Sequence, residues 1–155
     1  MRSELVQPQG STIGLLSQGG NISEAIPFIT PEMFGAVPDF DISTKSGTDS
    51  TTAFLKAVSI AISLGYKEIR LSPAANGKGY LITDEINLSG AGVYNRTNGV
   101  KLVGQGWANT TVYFKAATPT SVCFSTRGGS GTQSGRVISD IAIRAHPDTQ
   151  NQGIL

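Results

Sequence analysis

One stretch of the sequence, TPEMFGAVPDFDISTKSGTDSTTAFLKAVSIAISL from Thr30 to Leu64, constrains the fold more than any other part of the chain. It starts with an FGA segment between Pro31 and Pro38, and the residue before a proline is held in extended conformations. A polar, Asp-rich loop, Asp39 to Gly47, comes next. The pattern therefore predicts an extended lead-in segment and a loop that together deliver the chain to a helix.

The predicted helix runs from about Thr51 to Leu64. Asp49 or Ser50 can cap its first turn by accepting hydrogen bonds from the exposed N–H groups, and Gly65 can adopt the left-handed conformation that ends a helix. A single amphipathic helix has to bury its apolar stripe, and covering the open end of a stack of strands also blocks edge-to-edge association. We therefore expect the helix to cap a β-structure. The apolar residues that repeat at helical spacing are Phe54, Val58, Ala61 and Ile62.

Beyond Gly65 the apolar residues come in short pieces separated by Gly, Pro or Asn, which is typical of short strands joined by turns. No second helical pattern follows, so a doubly wound α/β fold is disfavoured. On the pattern alone, a β-sandwich and a solenoid both remain open, and the capping helix favours the solenoid, in which each coil packs only against its neighbours. The predicted strands are Glu68 to Leu71, Tyr80 to Thr83, Ile86 to Leu88, Val100 to Val103, Thr111 to Phe114, Val122 to Phe124 and Val137 to Ile143.

Several of these motifs together resemble a known family. The FGA segment followed by GTDSTTAFLKAV is similar to the opening of the pectate-lyase-like β-helix proteins, which include phage tailspikes that degrade bacterial surface polysaccharide. The resemblance implies an all-β fold, a right-handed parallel β-helix with one capping α-helix and an irregular N-terminal connector. Further similar motifs are Glu68-Ile-Arg-Leu-Ser-Pro, Gly79-Tyr-Leu-Ile, Val100-Lys-Leu-Val-Gly-Gln-Gly, Ile138-Ser-Asp-Ile-Ala-Ile, and the neck-like Arg2-Ser-Glu-Leu and Leu16-Ser-Gln-Gly-Gly.

The resemblance also implies a division of the chain. Residues 1–29 are expected to form a connector or neck, residues 30–65 the lead-in segment and capping helix, and residues 66–155 the first coils of the β-helix. Asn151 to Leu155 has the pattern of another strand without a cap, and an uncapped solenoid exposes its core. We therefore expect the β-helix to continue beyond the chain, with the catalytic groove of this family on later coils.

Composition narrows the range of partners. A formal net charge of +1 and a charged fraction of 15% provide no basic field for nucleic acid. No apolar run approaches the ~18 residues that a membrane span requires, and no apolar N-terminal signal segment is present. Cys123 is the single cysteine, and its place in an apolar run predicts a buried, unreactive thiol. We therefore expect neither a nucleic-acid nor a membrane partner.

The resemblance implies other partners and a location. The chain is expected to form a homotrimer with itself, to attach to a virion tail or baseplate protein, to contact bacterial surface polysaccharide, and to reside in the phage tail. Its function would be that of a tailspike that recognises and degrades capsule or O-antigen. The alternative is a structural tail component or adhesin without enzymatic activity. A bacterial polygalacturonase-like or lyase enzyme is disfavoured because no signal peptide is found.

Glycan cleavage requires either two carboxylates that flank the scissile bond or a base beside the proton it removes. Asp84 and Glu85 are adjacent, so on a strand they would point to opposite faces and could not converge. Asp140 is explained more simply as an outward-facing residue of a strand or turn than as a catalytic carboxylate. The carboxylate candidates are Asp84, Glu85, Asp140 and Asp148, and the arginines that could hold a uronate are Arg127, Arg136 and Arg144. Solvated surface positions explain the four carboxylates better than catalysis does, and they explain the three arginines at least as well as uronate binding.

The remaining candidates do not complete a catalytic group. His146 is the single histidine and has no Ser or Cys nucleophile motif to serve. The Asp39-x-Asp41-x-Ser43 run is similar to a calcium loop, but it lacks the glycine and the glutamate that such loops require. Trp107 could stack on a sugar ring, although its place after a Gly-x-Gly turn favours packing. No cofactor or metal is predicted, and the catalytic residues stay unknown.

Overall fold

The computed structural model of the chain describes residues 28–65, 68–75, 77–89, 100–118, 120–126 and 137–149. This part is mostly β-structure with one α-helix, α1 (Thr51–Ser63), and two short 3-10 helices, Pro31–Phe34 and Pro147–Thr149. The strands are β1 (Glu68–Arg70), β2 (Tyr80–Ile82), β3 (Ile86–Asn87), β4 (Lys101–Val103), β5 (Thr111–Phe114), β6 (Phe124–Ser125), β7 (Ile138–Ser139) and β8 (Ala142–Ala145). Almost the whole expected connector, Arg127, Arg136 and the pattern at Asn151 to Leu155 lie outside the described residues.

The strands pair so that every third strand returns to the same sheet. The orders are β1-β4-β7, β2-β5-β8 and β3-β6, and all of these pairings are parallel. In the first sheet, Ile69 lies beside Leu102, and Leu102 lies beside Ile138. Parallel strands need crossover connections rather than hairpins, so this topology is a stack of coils and excludes the β-sandwich for the described residues. We refer to β1–β3 as coil 1, β4–β6 as coil 2 and β7–β8 as coil 3.

Helix α1 packs against coil 1 with its predicted apolar residues turned inward. It packs against β1, β3 and the first 3-10 helix. Phe54, Val58 and Ala61 are buried in the same core as Ile69, and burying one side chain as large as Phe contributes about 1.5–3 kcal/mol. No helix among the described residues has the length and hydropathy to cross a bilayer.

At both ends of α1, residues that the sequence analysis named define where the helix begins and ends. The carboxylate of Asp49 accepts the backbone N–H of Thr51, the first residue of the helix, at 2.9 Å, whereas the side chain of the N-cap residue Ser50 makes no cap hydrogen bond. Ser50 instead accepts the N–H of Val37 at 3.2 Å and thereby fastens the lead-in segment to the helix. At the other end Gly65 has φ +74°, the left-handed conformation that glycine adopts at little cost.

The lead-in segment is fastened to coil 1 at a second place. Glu32, in the first 3-10 helix, accepts hydrogen bonds from the hydroxyl of Tyr80 and from the N–H of Ser72, the latter at 3.1 Å. Burial, together with this carboxylate, raises the pKa of Tyr80 above its ordinary value, so the phenol remains a hydrogen-bond donor. Ile29 adds a single bridge to Ile69 at the edge of the first sheet.

Strands β2 and β5 of the second sheet are buried on both faces. Tyr80 and Ile82 point into the main core, whereas Leu81 and Tyr113 lie under Phe40 on the opposite face. Phe40 belongs to the Asp39–Ser50 loop, which forms bridges with Gly79 and Leu81. Burial on both faces explains why β2 and β5 are continuous apolar runs rather than alternating ones.

Candidate functional site

A cavity of about 150 Å³ opens where the turn after β2 meets the segment between β5 and β6. The two pieces of chain come together because β2 pairs with β5 and β3 pairs with β6, which places the turns of coils 1 and 2 on top of each other. Apolar side chains form part of the wall, and hydroxyl and carboxylate groups form the rest. The lining residues are Thr83, Asp84, Glu85, Phe114, Ala117, Thr120, Ser121 and Val122.

The two carboxylates of this cavity correct a sequence-based expectation. Asp84 and Glu85 were expected on opposite faces of a strand, but β2 ends at Ile82 and β3 begins at Ile86, so both lie in the turn between the strands. Both line the same cavity. The carboxylate of Asp84 accepts the N–H of Glu85 at 2.7 Å, which holds the turn in a defined conformation. The rule that adjacent strand residues diverge did not apply, because the residues are not in a strand.

The rim of the cavity is connected to the cap of α1. The hydroxyl of Thr83 donates to the Asp49 carboxylate at 2.7 Å, and the N–H of Thr83 donates to the hydroxyl of Thr51 at 2.8 Å. Burial works against the charged form of Asp49, but the hydrogen bonds from Thr51 and Thr83 outweigh it and lower the pKa of this carboxyl. The helix cap therefore positions one wall of the cavity.

The chemistry of the lining favours a neutral, hydroxylated ligand over an anionic one. Carboxylate oxygens such as those of Asp84 and Glu85 accept hydrogen bonds from hydroxyl groups, and none of the described residues that line the cavity is Lys or Arg. Phe114 and Val122 provide an apolar surface. Among the described residues, no group of three or more His, Cys, Asp or Glu side chains is arranged to hold a metal ion.

The other charged candidates lie elsewhere. Asp140 is exposed in the bend between β7 and β8 with φ +58°. Arg144 is exposed on β8, beside Tyr113 of β5. Asp148 lies in the second 3-10 helix and forms an ion pair with Lys45 at 3.0 Å. The structure thus places these three side chains outside the cavity, and it does not bring the two carboxylates together as an acid pair.

His146 lies in the interior, although its surrounding sequence is polar. Its side chain is 2% exposed, its ring lies 5.1 Å from that of Phe40, and its Nδ1 accepts the N–H of Asp148 at 3.2 Å. Desolvation lowers the pKa of His146; the Asp148 carboxylate opposes this shift, and Lys115 and Lys45 reinforce it. The neutral ring is a packing element between the Asp39–Ser50 loop and coil 3.

Two further expectations have opposite outcomes. Cys123 is buried, as predicted, and desolvation raises the pKa of its thiol, which keeps it protonated and unreactive. Trp107 was expected to pack, and that expectation is wrong, because its side chain is 71% exposed in the turn between β4 and β5.

The cavity itself was not predicted from the sequence. Its two walls belong to different coils, and only the pairing of β2 with β5 and of β3 with β6 brings them together. The usable signal was the cluster of short polar side chains from Thr118 to Ser121, directly after a strand that was correctly predicted.

Comparison with known proteins gives one strong similarity. No family model matches the sequence. The solved structure of the mannuronan C-5 epimerase AlgE6 A-module of Azotobacter vinelandii is 19% identical with a TM-score of 0.49, covering 74% of this chain and 28% of that one. Depolymerase 1, capsule K3-specific, of Klebsiella phage KP32 is 36% identical over 160 residues, which cover 99% of this chain and 18% of that protein. The chain is therefore similar, along nearly its whole length, to about a fifth of a phage capsule depolymerase.

Proposed function

We propose that this chain is the N-terminal portion of a phage tailspike that recognises and degrades host surface polysaccharide, either capsule or O-antigen. The observation that carries the proposal is the 36% identity to a capsule-specific phage depolymerase over 99% of the chain. The chain spans only 18% of that relative, so the activity is proposed for the whole protein. The protein would reside in the phage tail.

The proposed architecture is a right-handed parallel β-helix of the pectate-lyase-like kind. Its support is the topology, in which every third strand returns to the same parallel sheet. Crossover connections between parallel strands of one sheet are right-handed in about 98% of cases. Helix α1 closes the first coil and would protect the N-terminal end of the β-helix from association through its edges.

The remaining roles proposed for this portion are trimerisation and attachment to a virion tail or baseplate protein. Apolar side chains that remain exposed on the lead-in segment and at the end of α1 support an additional interface. These are Met33, Val37 and Leu64, which are 56%, 41% and 63% exposed. Residues 1–29 would form the connector to the virion.

We further propose that the chain does not cleave polysaccharide by itself. The cavity is lined by Asp84 and Glu85, but no basic side chain among its described lining residues could hold the uronates that eliminating enzymes act on. Within this proposal its walls serve to join coils 1 and 2, and cleavage takes place on another part of the protein.

The test is a cleavage assay on a panel of purified capsular polysaccharides that includes Klebsiella K3. The full gene product that carries this chain and the 155-residue chain alone are compared for the release of reducing ends and for the absorbance of an unsaturated uronate. We expect the full gene product to cleave one capsule and the chain alone to cleave none.

Each other outcome has a defined meaning. A full gene product that binds a capsule without cleaving it would make the protein an adhesin or structural tail component. Cleavage by the chain alone would contradict its non-catalytic role, and Asp84→Ala and Glu85→Ala would then show whether the cavity is responsible, with Asp148→Ala as a carboxylate control outside it.

A further inference from the structure

We propose that the turn between β4 and β5, residues 104–110, is a glycan-contact site in which the indole of Trp107 stacks on one sugar ring. The inference rests on the proposed function, since it assigns a further contact to the same class of ligand. It concerns a different part of the surface from the cavity, because none of the residues in this turn lines that cavity.

The first argument is the exposure of the ring. Trp107 is 71% exposed, which is more than any other large apolar side chain among the described residues. Tryptophan has one of the largest apolar surfaces of any side chain, combined with a single polar N–H. A flat apolar face beside a hydrogen-bond donor matches a sugar ring, which has an apolar C–H face and a polar edge of hydroxyl groups.

The second argument is that the turn is held in one conformation. Gly106, at φ +102°, accepts the N–H groups of Asn109 and Thr110, both at 2.9 Å, through its carbonyl oxygen. The N–H of Gln105 donates to the hydroxyl of Thr110 at 2.9 Å. A ring presented on an ordered backbone loses little conformational freedom when a ligand binds, so more of the contact energy appears as affinity.

The turn is also fastened to both neighbouring coils. On one side, the carbonyl of Asn109 accepts the N–H of Ala74 in coil 1 at 2.7 Å. On the other side, the N–H groups of Gly104 and Gly106 donate to the carbonyls of Ser139 and Asp140 in coil 3, at 2.9 and 3.1 Å. The position of the indole is therefore determined by three coils and not by the turn alone.

The surroundings of the ring favour a sugar over a protein partner. Gln105, Asn109 and Asp140 are exposed polar side chains on the same corner of the coil stack, and they can exchange hydrogen bonds with hydroxyl groups. The turns that meet here, 72–75, 104–110 and 140–141, expose no other large apolar side chain, and the exposed Val137 and Ile138 (44% and 40%) lie at the start of β7 and outside these turns. A stable protein interface requires about 800 Å² on each partner, whereas one aromatic ring among polar groups is sufficient for one sugar unit.

Because Trp107 is the single tryptophan of the chain, its fluorescence reports on the proposed site directly. The 155-residue chain is titrated with oligosaccharides prepared from each polysaccharide of the capsule panel and with neutral malto- and cello-oligosaccharides. We expect at least one probe to shift the emission to shorter wavelength and to lower quenching by acrylamide about twofold, with saturation. Unchanged emission and quenching with every probe would overturn the proposal.

Variants then separate stacking from nonspecific contact. Affinity electrophoresis in gels that contain the bound polysaccharide should show about tenfold weaker binding for Trp107→Ala and a smaller loss for Trp107→Phe, which retains an aromatic face. Leu55→Ala is the matched control, since Leu55 is 43% exposed but lies on α1. Equal affinities of Trp107→Ala and Leu55→Ala would contradict the assignment.

Two other results bear on the occupant and on the proposed function. If Trp107 is already shielded from acrylamide without sugar and becomes accessible on dilution, a second copy of the chain covers it and the glycan assignment is wrong. If sugar shields Trp107 but the full gene product cleaves no capsule, the glycan-contact site is upheld and the proposed enzymatic activity is refuted. If the full gene product cleaves a capsule but no sugar changes the fluorescence of Trp107, the enzymatic activity is upheld and the glycan-contact site is refuted.

Discussion

Single residues in this protein act mainly through contacts between successive coils. Gly104 is the clearest case, because a Cβ atom at this position would overlap the carbonyl oxygen of Asp140 and lie 2.8 Å from Cγ1 of Ile141. Both residues belong to the next coil. The glycine thus allows coils 2 and 3 to approach each other closely, in the way that glycine often does inside β-structure.

We therefore expect Gly104→Ala to lower the free energy of unfolding by about 1–3 kcal/mol, the usual range for forced overpacking. Gly77→Ala is the comparison: Gly77 has φ +78°, but a methyl group there would meet no atom within 4 Å, so only the backbone conformation is penalised. Urea denaturation followed by circular dichroism measures both. A smaller loss for Gly104→Ala than for Gly77→Ala would contradict the close approach.

His146 should make stability depend on pH. Its pKa is lowered from 6.5 in the folded state, so the folded chain binds fewer protons than the unfolded chain at mildly acidic pH, and stability falls as the pH drops below about 6.5. The charged groups that face the ring are Asp148, Lys115 and Lys45.

Replacement of this residue by His146→Phe should flatten the dependence of the melting temperature on pH between about pH 5 and 7. Asp148→Asn should make the dependence steeper, because it removes the carboxylate that favours the protonated ring. Thermal melts of the three proteins in matched buffers provide the measurement. Parallel profiles for the native protein and His146→Phe would show that another group titrates.

At the scale of elements, local patterns in the sequence predicted the helix and most of the strands, but the single strand expected at Val137 to Ile143 is two strands, β7 and β8, separated at Asp140. The 3.6-residue spacing of Phe54, Val58 and Ala61 predicted α1, and the short apolar runs predicted the strands, because both signals are contained within a few residues. The predictions that failed concern features that depend on the register between coils. The shared cavity of Asp84 and Glu85 and the exposure of Trp107 follow from which turns lie above each other, and this information is not local.

The apolar face of α1 provides the test at this scale. Phe54→Asp places a charge in a core position that is 1% exposed, and the loss of packing together with the buried charge should cost at least ~4 kcal/mol, enough to unfold or disassemble the protein. Leu55→Asp is the matched control, because this neighbouring side chain on the same helix is 43% exposed. Size-exclusion chromatography and thermal melts should show the first variant impaired and the second close to normal.

At the scale of the whole molecule, the stack of coils could not be derived from a repeat period in the sequence. The chain between the partners Leu102 and Ile138 is longer than that between the partners Val112 and Ile143. Turns of unequal length hide a regular stack of strands from any search for a fixed period. The resemblance of motifs, rather than periodicity, therefore led to the solenoid.

The proposed homotrimer is tested at the same scale. In the proposed trimer, the exposed apolar side chains of Met33 and Leu64 are covered by sister chains. Light scattering coupled to chromatography should give three times the mass of one chain across a range of concentrations. A monomer at every concentration would count decisively against trimerisation through these residues.

The contact between the Asp39–Ser50 loop and coil 3 has a consequence for the order of folding. Lys45 reaches Asp148 across 103 positions of sequence, and Phe40 touches both Tyr113 and His146. During synthesis the loop leaves the ribosome long before its last partners exist. Contacts between residues so distant in sequence form slowly. The Asp39–Ser50 loop is therefore synthesised early but is one of the last segments to pack in its final position.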